Sequence, residues 1–429
     1  MTVAEDIVDE LKWRGLFALC TDEQALRAAL ADAPVTYYCG FDPTAPSLHF
    51  GNLLQLLTVR RLQNAGHRPI VLVGGSTGLI GDPKPTAERT LNTKETVAEW
   101  VERIRVQVAR YVSFTGDNAA RVVNNLEWTA PLSAIDFLRD VGKHFRVNRM
   151  MAKEAVSARL ESREGISYTE FSYQILQGLD FLELYRRYTC ILQTGGSDQW
   201  GNLTSGVDLV HRVEGVSVHA FATPLLTKAD GTKYGKTESG TIWLDPDMTS
   251  PYAFYQHWLN VEDSQVPMLL RSLSFRPREE IEQIERATAE RPAARVGQRA
   301  LAEEVTALVH GPEETARVVS ASQALFGQGA LEDLDERTLS AALSETSLAQ
   351  VPMGHDGPSY VDLFVAAGLV PSRSAARRAI AEGGAYVNNT RIDPSTDPDA
   401  VVREYELLHG RWVVVRRGKR TVGGVEIVR

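Results

Sequence analysis

Cysteine is scarce in this sequence: three in 429 residues, Cys20, Cys39 and Cys190. The count is odd, the spacing is wide, and no Cys-x-x-Cys pair occurs. This argues against a disulfide framework or a structural zinc site, and predicts a reducing, cytoplasmic compartment. Long apolar runs are lacking too. No stretch approaches the roughly 20 apolar residues of a membrane span. The opening MTVAEDIVDELKWRG is acidic and has no apolar centre, unlike a secretory signal. No membrane partner is expected. Nor is there an excess of positive charge: the formal net charge is −9, which taken alone does not suggest a nucleic-acid binder. The average hides an asymmetry. From Pro358 to Arg429 there are 11 Lys+Arg against 8 Asp+Glu, a net of +3 that leaves −12 on the preceding 357 residues. A basic tail on an acidic body fits RNA contact, and equally a merely solvated tail.

The composition is otherwise that of an ordinary globular protein, 43% hydrophobic and 24% charged. The chain is too long for one typical core, so two or three domains are expected. The stretch Tyr37 to Asn52, YYCGFDPTAPSLHFGN, organises the rest. A β-rich run from Val35 to Phe41 is broken by Asp42-Pro43-Thr44. A dense apolar run follows, Leu53, Leu54, Leu56, Leu57, Val59 and Leu62, and ends at Gly66, a residue suited to follow a helix. Such a strand–loop–helix unit offers unpaired N–H groups and a positive helix end to a phosphate. His49 and Asn52, three apart at the helix start, can both donate to a phosphate oxygen. A polar cap on a plain βα unit would use the same letters.

Residues 4–17 read as an amphipathic helix with Ile7, Val8, Leu11 and Phe17 on its apolar side. Pro69 to Val73 is a second strand, followed by GGSTGLIGDP, whose glycines permit close backbone approach to a ligand and whose end carries Asp82. Thr93 to Val112 reads as helix, Arg121 to Asn125 as strand, and 131–160 as mainly helical. Within TEFSYQILQGLDFLELYR (169–186), Tyr173, Gln177 and Asp180 fall in an arc of about 60°. Phe171, Ile175 and Leu182 lie opposite, and Leu176, Phe181 and Leu184 flank the stripe. A helix apolar almost all round is buried, so the stripe should face a polar cavity or a core hydrogen-bond network. Cys190 to Gln193 is a further strand. Asp198 follows it, where open α/β sheets place ligands, and is a candidate for ribose hydroxyls. Alternating strands and helices predict a doubly wound α/β sheet. From Ser250 to Phe326 the text is helical. In the tail, Ser372 or Ser374 can cap a helix bearing Arg373, Arg377 and Arg378, ended by Gly383-Gly384. Arg416, Arg417, Lys419 and Arg420 add charge beyond it.

The HxGN spelling after GFDPTAPSLH resembles the HIGH-type signature of class I aminoacyl-tRNA synthetases. Lys233-Tyr234-Gly235-Lys236-Thr237, 181 residues beyond Asn52, resembles the KMSKS-type loop in the KFGKT spelling of tyrosyl-tRNA synthetases. LVGGSTGLIGDP, GISYTEFSYQILQGLDF and LQTGGSDQWGN match as well, so the resemblance to the bacterial tyrosyl-tRNA synthetases covers most of the chain. It implies a Rossmann-like, doubly wound parallel-sheet catalytic domain over 1–228, with a helical insertion at about 126–165 forming a homodimer interface. A KMSKS-type loop and connection would span 229–249, an α-helical anticodon-binding domain 250–326 and a linker 327–357. A small α+β RNA-binding module of the αL type would close the chain over 358–429.

The implied reaction is ATP-dependent activation of L-tyrosine to tyrosyl-adenylate, then transfer to the 3′ end of tRNA(Tyr), with Mg²⁺ sharing the phosphate charge. By the resemblance, Thr44, His49, Asn52, Lys233, Lys236 and Thr237 are catalytic. Tyr38 and Asp180 meet the phenol, while Asp82, Tyr173 and Gln177 hold the ammonium. Asp42, Gly51, Asp198, Gln199 and Lys236 bind ATP, and Arg373, Arg377 and Arg378 bind RNA. No protein-held metal is expected. Three departures stand out: Asn52 in place of the last His, Tyr234 in place of Phe, and a loop at Asp82 to Pro85 one residue short, which leaves Lys84 without a role. Two other readings are a tryptophanyl-tRNA synthetase-like enzyme, disfavoured by Tyr38 with Asp180 and by the tail, and a catalytically idle RNA-binding paralogue, disfavoured by two intact ATP signatures.

Overall fold

The run Thr36–Phe41, rich in aromatic residues, becomes a central strand of a six-stranded sheet. A computed structural model describes the chain apart from residues 1–5, 84–89, 164, 228–233, 235, 238–239, 355–356, 419–420 and 429, and apart from the side chains at 154–155, 236–237 and 405. The chain packs as two units, Met1–Met248 with Asp263–Ala289, and Thr249–Glu262 with Glu290–Arg429.

In the first unit the strands are β1 (Leu19–Cys20), β2 (Thr36–Phe41), β3 (Arg68–Val73), β4 (Arg121–Asn124), β5 (Cys190–Gly196) and β6 (His219–Thr223). Their order is β1-β6-β5-β2-β3-β4. All neighbours run parallel except β1, which is antiparallel to β6. Tyr38 stands opposite Ile70 on one side and Gln193 on the other. The chain winds from β2 through β3 to β4, then returns to β5 and β6 on the far side. The winding direction therefore reverses between β2 and β5, and a crevice opens at their carboxyl ends. The sequence reading passed over β1 and β6, which are too short to show a period.

Three helices place the functional side chains: α1 (Phe50–Asn64), α2 (Tyr168–Tyr188) and α3 (Trp200–Glu214). Leu53, Leu54, Leu56, Leu57, Val59 and Leu62 of α1 are all buried, and Gly66 follows with φ +99°. Ser167 caps α2, its Oγ accepting from Glu170 N, and Thr189 ends it in the left-handed region. A buried ion pair, Arg159 to Glu170 at 2.8 Å with each side chain 2% exposed, ties the helix Glu154–Leu160 to the first turn of α2. Removing either partner would strand the other charge in the core. The hairpin β7 (Lys236–Thr237) and β8 (Gly240–Thr241) completes the unit.

Two expected boundaries shift. Helices Val266–Leu273 and Arg278–Glu290 lie mostly within 263–289 and so belong with the sheet, not with a single helical domain over 250–326. The reason is polar. Buried Arg14 donates to the carbonyls of Arg271 (3.0 Å), Ser274 (2.7 Å) and Arg276 (2.9 Å), and Arg61 donates to Ser272 O at 3.3 Å. Arg60 and Arg61 sit over the Phe275 ring at 5.1 and 4.3 Å. The expected linker, 327–357, is also partly built in. Its helix Glu336–Ser344 precedes β9 (Ser347–Pro352), an edge strand of the second sheet.

In the second unit that sheet adds β10 (Ala385–Val387), β11 (Thr390–Arg391), β12 (Trp412–Arg417) and β13 (Thr421–Val428), ordered β11-β10-β12-β13-β9. Only β13 and β9 pair in parallel, with Gly424 opposite Leu348. Val361, Phe364, Ile380, Val413 and Val425 form its core. Among the described residues no helix is long and apolar enough to cross a membrane.

Candidate active site

A cavity of about 460 Å³ occupies the crevice at the carboxyl ends of β2 and β5. Tyr38, Asp42, Thr44, His49, Gly51 and Asn52 line it from β2 and the start of α1; Asp82, Tyr173, Gln177, Asp180, Asp198 and Gln199 line it from the other elements. The polar stripe of α2 thus faces this space, while Phe171, Ile175 and Leu182 pack into the core behind it.

One end of the cavity is built around Asp180, which is 1% exposed. Its Oδ1 accepts from Trp128 Nε1 at 2.9 Å and its Oδ2 from Asn125 Nδ2 at 3.0 Å. Asn125 is itself fixed, its Oδ1 accepting from Ser76 N at 2.7 Å. Burial pushes the Asp180 carboxyl up to about 8 against the pull of these two donors, with Asp42 adding like charge. The buried Tyr38 hydroxyl has no partner among the described residues, and its ring meets Phe181 edge-on at 5.3 Å. Burial first, then the Asp180 charge, raises this phenol well above its ordinary value. An unpartnered hydroxyl near a buried carboxylate leaves room for one more polar group.

Next to it Asp82 accepts from Gln199 Nε2 (2.9 Å) and Asn202 Nδ2 (3.0 Å). Asp42 is a second hub: its Oδ2 accepts from Tyr173 OH and its Oδ1 from Thr77 Oγ1, both at 2.6 Å. The buried Gln177 Oε1 has no partner among the described residues. The stripe is therefore partly a satisfied network and partly open to a ligand. The glycine-rich turn after β3 serves these hubs. A Cβ on Gly74 would lie 2.0 Å from Asp42 Oδ1 and 2.3 Å from Thr77 Oγ1, and one on Gly78 would lie 2.6 Å from Pro43. These two glycines make room for protein side chains, where the sequence reading gave them to a ligand.

The opposite end is the first turn of α1. His49 is its N-cap: Nδ1 accepts from Gly51 N at 3.0 Å, and Asn52 Oδ1 accepts from His49 N at 3.0 Å. Both side chains thus cap the helix. With Nδ1 an acceptor, a neutral His49 ring carries its proton on Nε2, and Asn52 keeps its amide NH₂ as the donating group. The plain-cap reading is met, and the capping uses His49 Nδ1 and Asn52 Oδ1 rather than the donor atoms of these side chains. Thr44 is exposed on the loop before. Gly196 admits Asp198, since a Cβ there would lie 2.6 Å from its Oδ1.

Lys233 and Lys84 lie outside the described residues, and of Lys236 and Thr237 only the backbone of β7 is described. Tyr234 is buried. Its hydroxyl, absent from the KFGKT spelling, bonds Gln265, and its ring meets Phe50 edge-on at 6.0 Å. In the second unit Ser372 caps the helix α4 (Arg373–Ala381), and Gly383 follows with φ +68°. Arg373 bonds Asp362 and Asp399, and Arg377 bonds Asp399 at 2.9 Å, while Arg378 is exposed and pairs with no carboxylate among the described residues. Arg416 is not surface charge: it is buried over the Tyr386 ring at 4.1 Å and donates to Gly418 O.

Sequence reasoning missed Asn125 and Trp128 as the partners of Asp180, and Asn202 as a partner of Asp82. It also missed Gln193, whose buried Oε1 at the cavity wall has no partner among the described residues. Asn125 follows a strand's carboxyl end and Gln193 is a polar residue in a buried parallel strand, so both carried a signal. Trp128 carried none.

Two family models match the chain: tRNA synthetases class I (W and Y) over residues 30–327, and the Tyrosine--tRNA ligase SYY-like C-terminal domain over residues 343–422. The tyrosine–tRNA ligase of Streptomyces coelicolor is 67% identical over 98% of this chain and 99% of that protein; that of Streptomyces avermitilis is 68% identical over the same shares. Among solved structures, a C-terminally truncated Aspergillus nidulans mitochondrial tyrosyl-tRNA synthetase aligns with a TM-score of 0.68 at 29% identity, over 75% of this chain and 94% of that one.

The raised Asp180 carboxyl has a consequence for stability. The native state keeps a proton that an unfolded chain gives up near its ordinary value of 3.8. Stability from this group is therefore lost as pH rises from about 4 to 8. Asp180→Asn removes that loss. The stability of the variant relative to wild type should climb with pH by up to about 1.4 kcal/mol per unit between pH 5 and 7, measured by urea unfolding. A pH-independent difference would make Asp180 an ordinary carboxylate.

Proposed function

The chain belongs to the class I tRNA synthetases (W and Y) and, within them, to the tyrosine–tRNA ligases; from that premise we propose how its own residues carry the reaction. The carboxylate of L-tyrosine attacks the α-phosphate of ATP and pyrophosphate leaves. A ribose hydroxyl at the 3′ end of tRNA(Tyr) then attacks the adenylate carbonyl and releases AMP. Little covalent work falls to the protein, so placement and electrostatics dominate.

The observation that carries the substrate assignment is the unpartnered Tyr38 hydroxyl near buried Asp180. The phenol of tyrosine fits between them, donating to the carboxylate and meeting the Tyr38 hydroxyl. Phenylalanine would leave both unsatisfied, and tyrosyl-tRNA synthetases are themselves the usual illustration of such rejection. Asp82, Tyr173 and Gln177 take the ammonium. Asp42 and Gln199, expected on ATP, act through neighbours in this proposal: Asp42 positions Tyr173, and Gln199 positions Asp82. His49 Nε2, the Asn52 amide and Thr44 donate to ATP phosphates beside the Gly51 turn, and Asp198 takes the ribose. Lys233, Lys236 and Thr237 close over the pyrophosphate, a role that rests on their spelling.

No group of three His, Cys, Asp or Glu side chains that could hold a metal gathers among the described residues. Mg²⁺ would therefore ride mainly on the ATP phosphates, as it commonly does, and neutralise their charge there. The insertion exposes Leu126, Leu132, Ile135 (68%), Leu138, Val147 and Met151. An uncovered apolar face of this kind fits a second copy of the chain. The cytoplasm, where tRNA and ATP are found, is the proposed site of action.

Tyrosine should support ATP–pyrophosphate exchange. Asp180→Asn and Tyr38→Phe should each cost about 1–3 kcal/mol of tyrosine-over-phenylalanine discrimination in kcat/KM; Trp128→Phe, which removes one donor to Asp180, should fall between these variants and wild type. Discrimination unchanged in all three would overturn the phenol assignment. For RNA contact, replacing Arg373, Arg377 and Arg378 together by Ala should leave exchange intact. It should also weaken tRNA binding and flatten the log affinity–log salt slope by roughly 0.7–0.9 per lost phosphate contact. An unchanged slope would leave α4 as solvated surface.

A further inference from the structure

A second, smaller cavity of about 50 Å³ lies between α2, α3 and the segment 144–153. It has room for roughly three or four waters, or for one tetrahedral oxyanion. Nothing assigned to the tyrosine or ATP site lines it. Its walls are unbalanced in charge. Arg146, Arg149, Lys153 and Arg212 face it, and Asp208 is the one carboxylate among its described lining residues. Asp208 accepts from Arg149 at 3.4 Å and lies 3.9 Å from Arg212, so a single negative charge is shared between two guanidinium groups.

Two further observations point to an anion as the ligand. Gln174, on α2, is 4% exposed, and neither its amide oxygen nor its amide nitrogen has a partner among the described residues. A buried amide with both ends unmade is uncommon and calls for a ligand, ion or water. Lys153, mostly desolvated, donates to Gly201 O and Ser205 Oγ in the first two turns of α3, close to a helix end that is itself positive. Burial lowers its ammonium to about 8, with Asp82 and Asp208 pulling the other way. The His144 ring is lowered by burial and by Lys143, Arg212 and Arg146. The His144 ring thus senses the cations around the cavity, while Lys153 senses mainly its own burial.

We propose that this cavity is a binding site for a small inorganic oxyanion of the phosphate or sulfate class, held by the Gln174 amide N–H, Lys153 and the Arg149–Arg212 pair.

The test uses the full chain with the larger cavity filled by a non-reactive tyrosyl-adenylate analogue, so that added phosphate cannot report from there. Inorganic phosphate is titrated at constant ionic strength and followed by calorimetry and by the NMR titration of His144, assigned with His144→Gln. One phosphate should bind per chain, and the His144 pKa should rise when it does. Gln174→Leu should weaken phosphate binding at least tenfold, yet be no less stable than wild type without phosphate, because it removes an unsatisfied amide. Should that variant fail to fold, Arg149→Gln, whose side chain is largely exposed, serves the same comparison. The proposal is overturned if no phosphate binds at 10 millimolar, roughly the weakest affinity of interest. It is equally overturned if the variants bind phosphate as wild type does, or if His144 does not move.

Discussion

Asp180 is a carboxylate placed where water does not reach. Ionising it there is costly, and only donors fixed in advance can offset the cost. They come from Asn125 and Trp128, at the junction of β4 and the helical insertion. Asn125 is in turn pinned by the backbone of Ser76 in the turn after β3. One side chain on α2 therefore locks together the ends of two strands and the entry to the insertion. Asp42 does the same at the end of β2, joining Tyr173 on α2 to Thr77 in that turn. The close glycines at 74 and 78 follow from this crowding. A sheet that reverses its winding between β2 and β5 supplies the crevice, and these two carboxylates shape what lies in it.

On the proposed roles, two tasks are separated along one cavity. At the start of α1, Thr44, His49 and Gly51 are exposed, as their proposed place on a phosphate chain requires. At the Asp180 end the carboxylate is buried and held by Asn125 and Trp128, which lie behind the cavity lining. Recognition of a hydroxyl depends on that rigidity, because an unmade hydrogen bond in such a place is expensive only if the site cannot relax around it.

Much of this was legible in the letters. The spacing of Tyr173, Gln177 and Asp180 within an otherwise apolar helix placed three cavity residues on one face. The loop after β2 pointed to the helix start as a donor site. What stayed hidden was long-range. Asn125 and Trp128 reach Asp180 across more than fifty positions, and no local period marks them. The capping roles of His49 and Asn52 depend on backbone angles at the turn. Arg14 and Arg61 draw 263–289 to the sheet through backbone carbonyls, which carry no sequence identity. β9 is hydrogen-bonded to a strand more than seventy residues away, so its own composition read as linker. Arg416 looked like surface charge because stacking on Tyr386 leaves no trace in composition.

The account stands on Asp180 taking up the phenol as a carboxylate. Near pH 7 the empty site holds this group largely protonated, since burial puts its pKa at about 8. A phenol that donates to it favours the ionised form, so tyrosine binding should expel a proton. Calorimetry of tyrosine binding at pH 6.5 to 7.5, in buffers of different ionisation enthalpy, measures that number directly. The account predicts a release approaching one proton per site, with affinity rising as pH rises through this range. Buffer-independent heats, meaning no proton released, would contradict it.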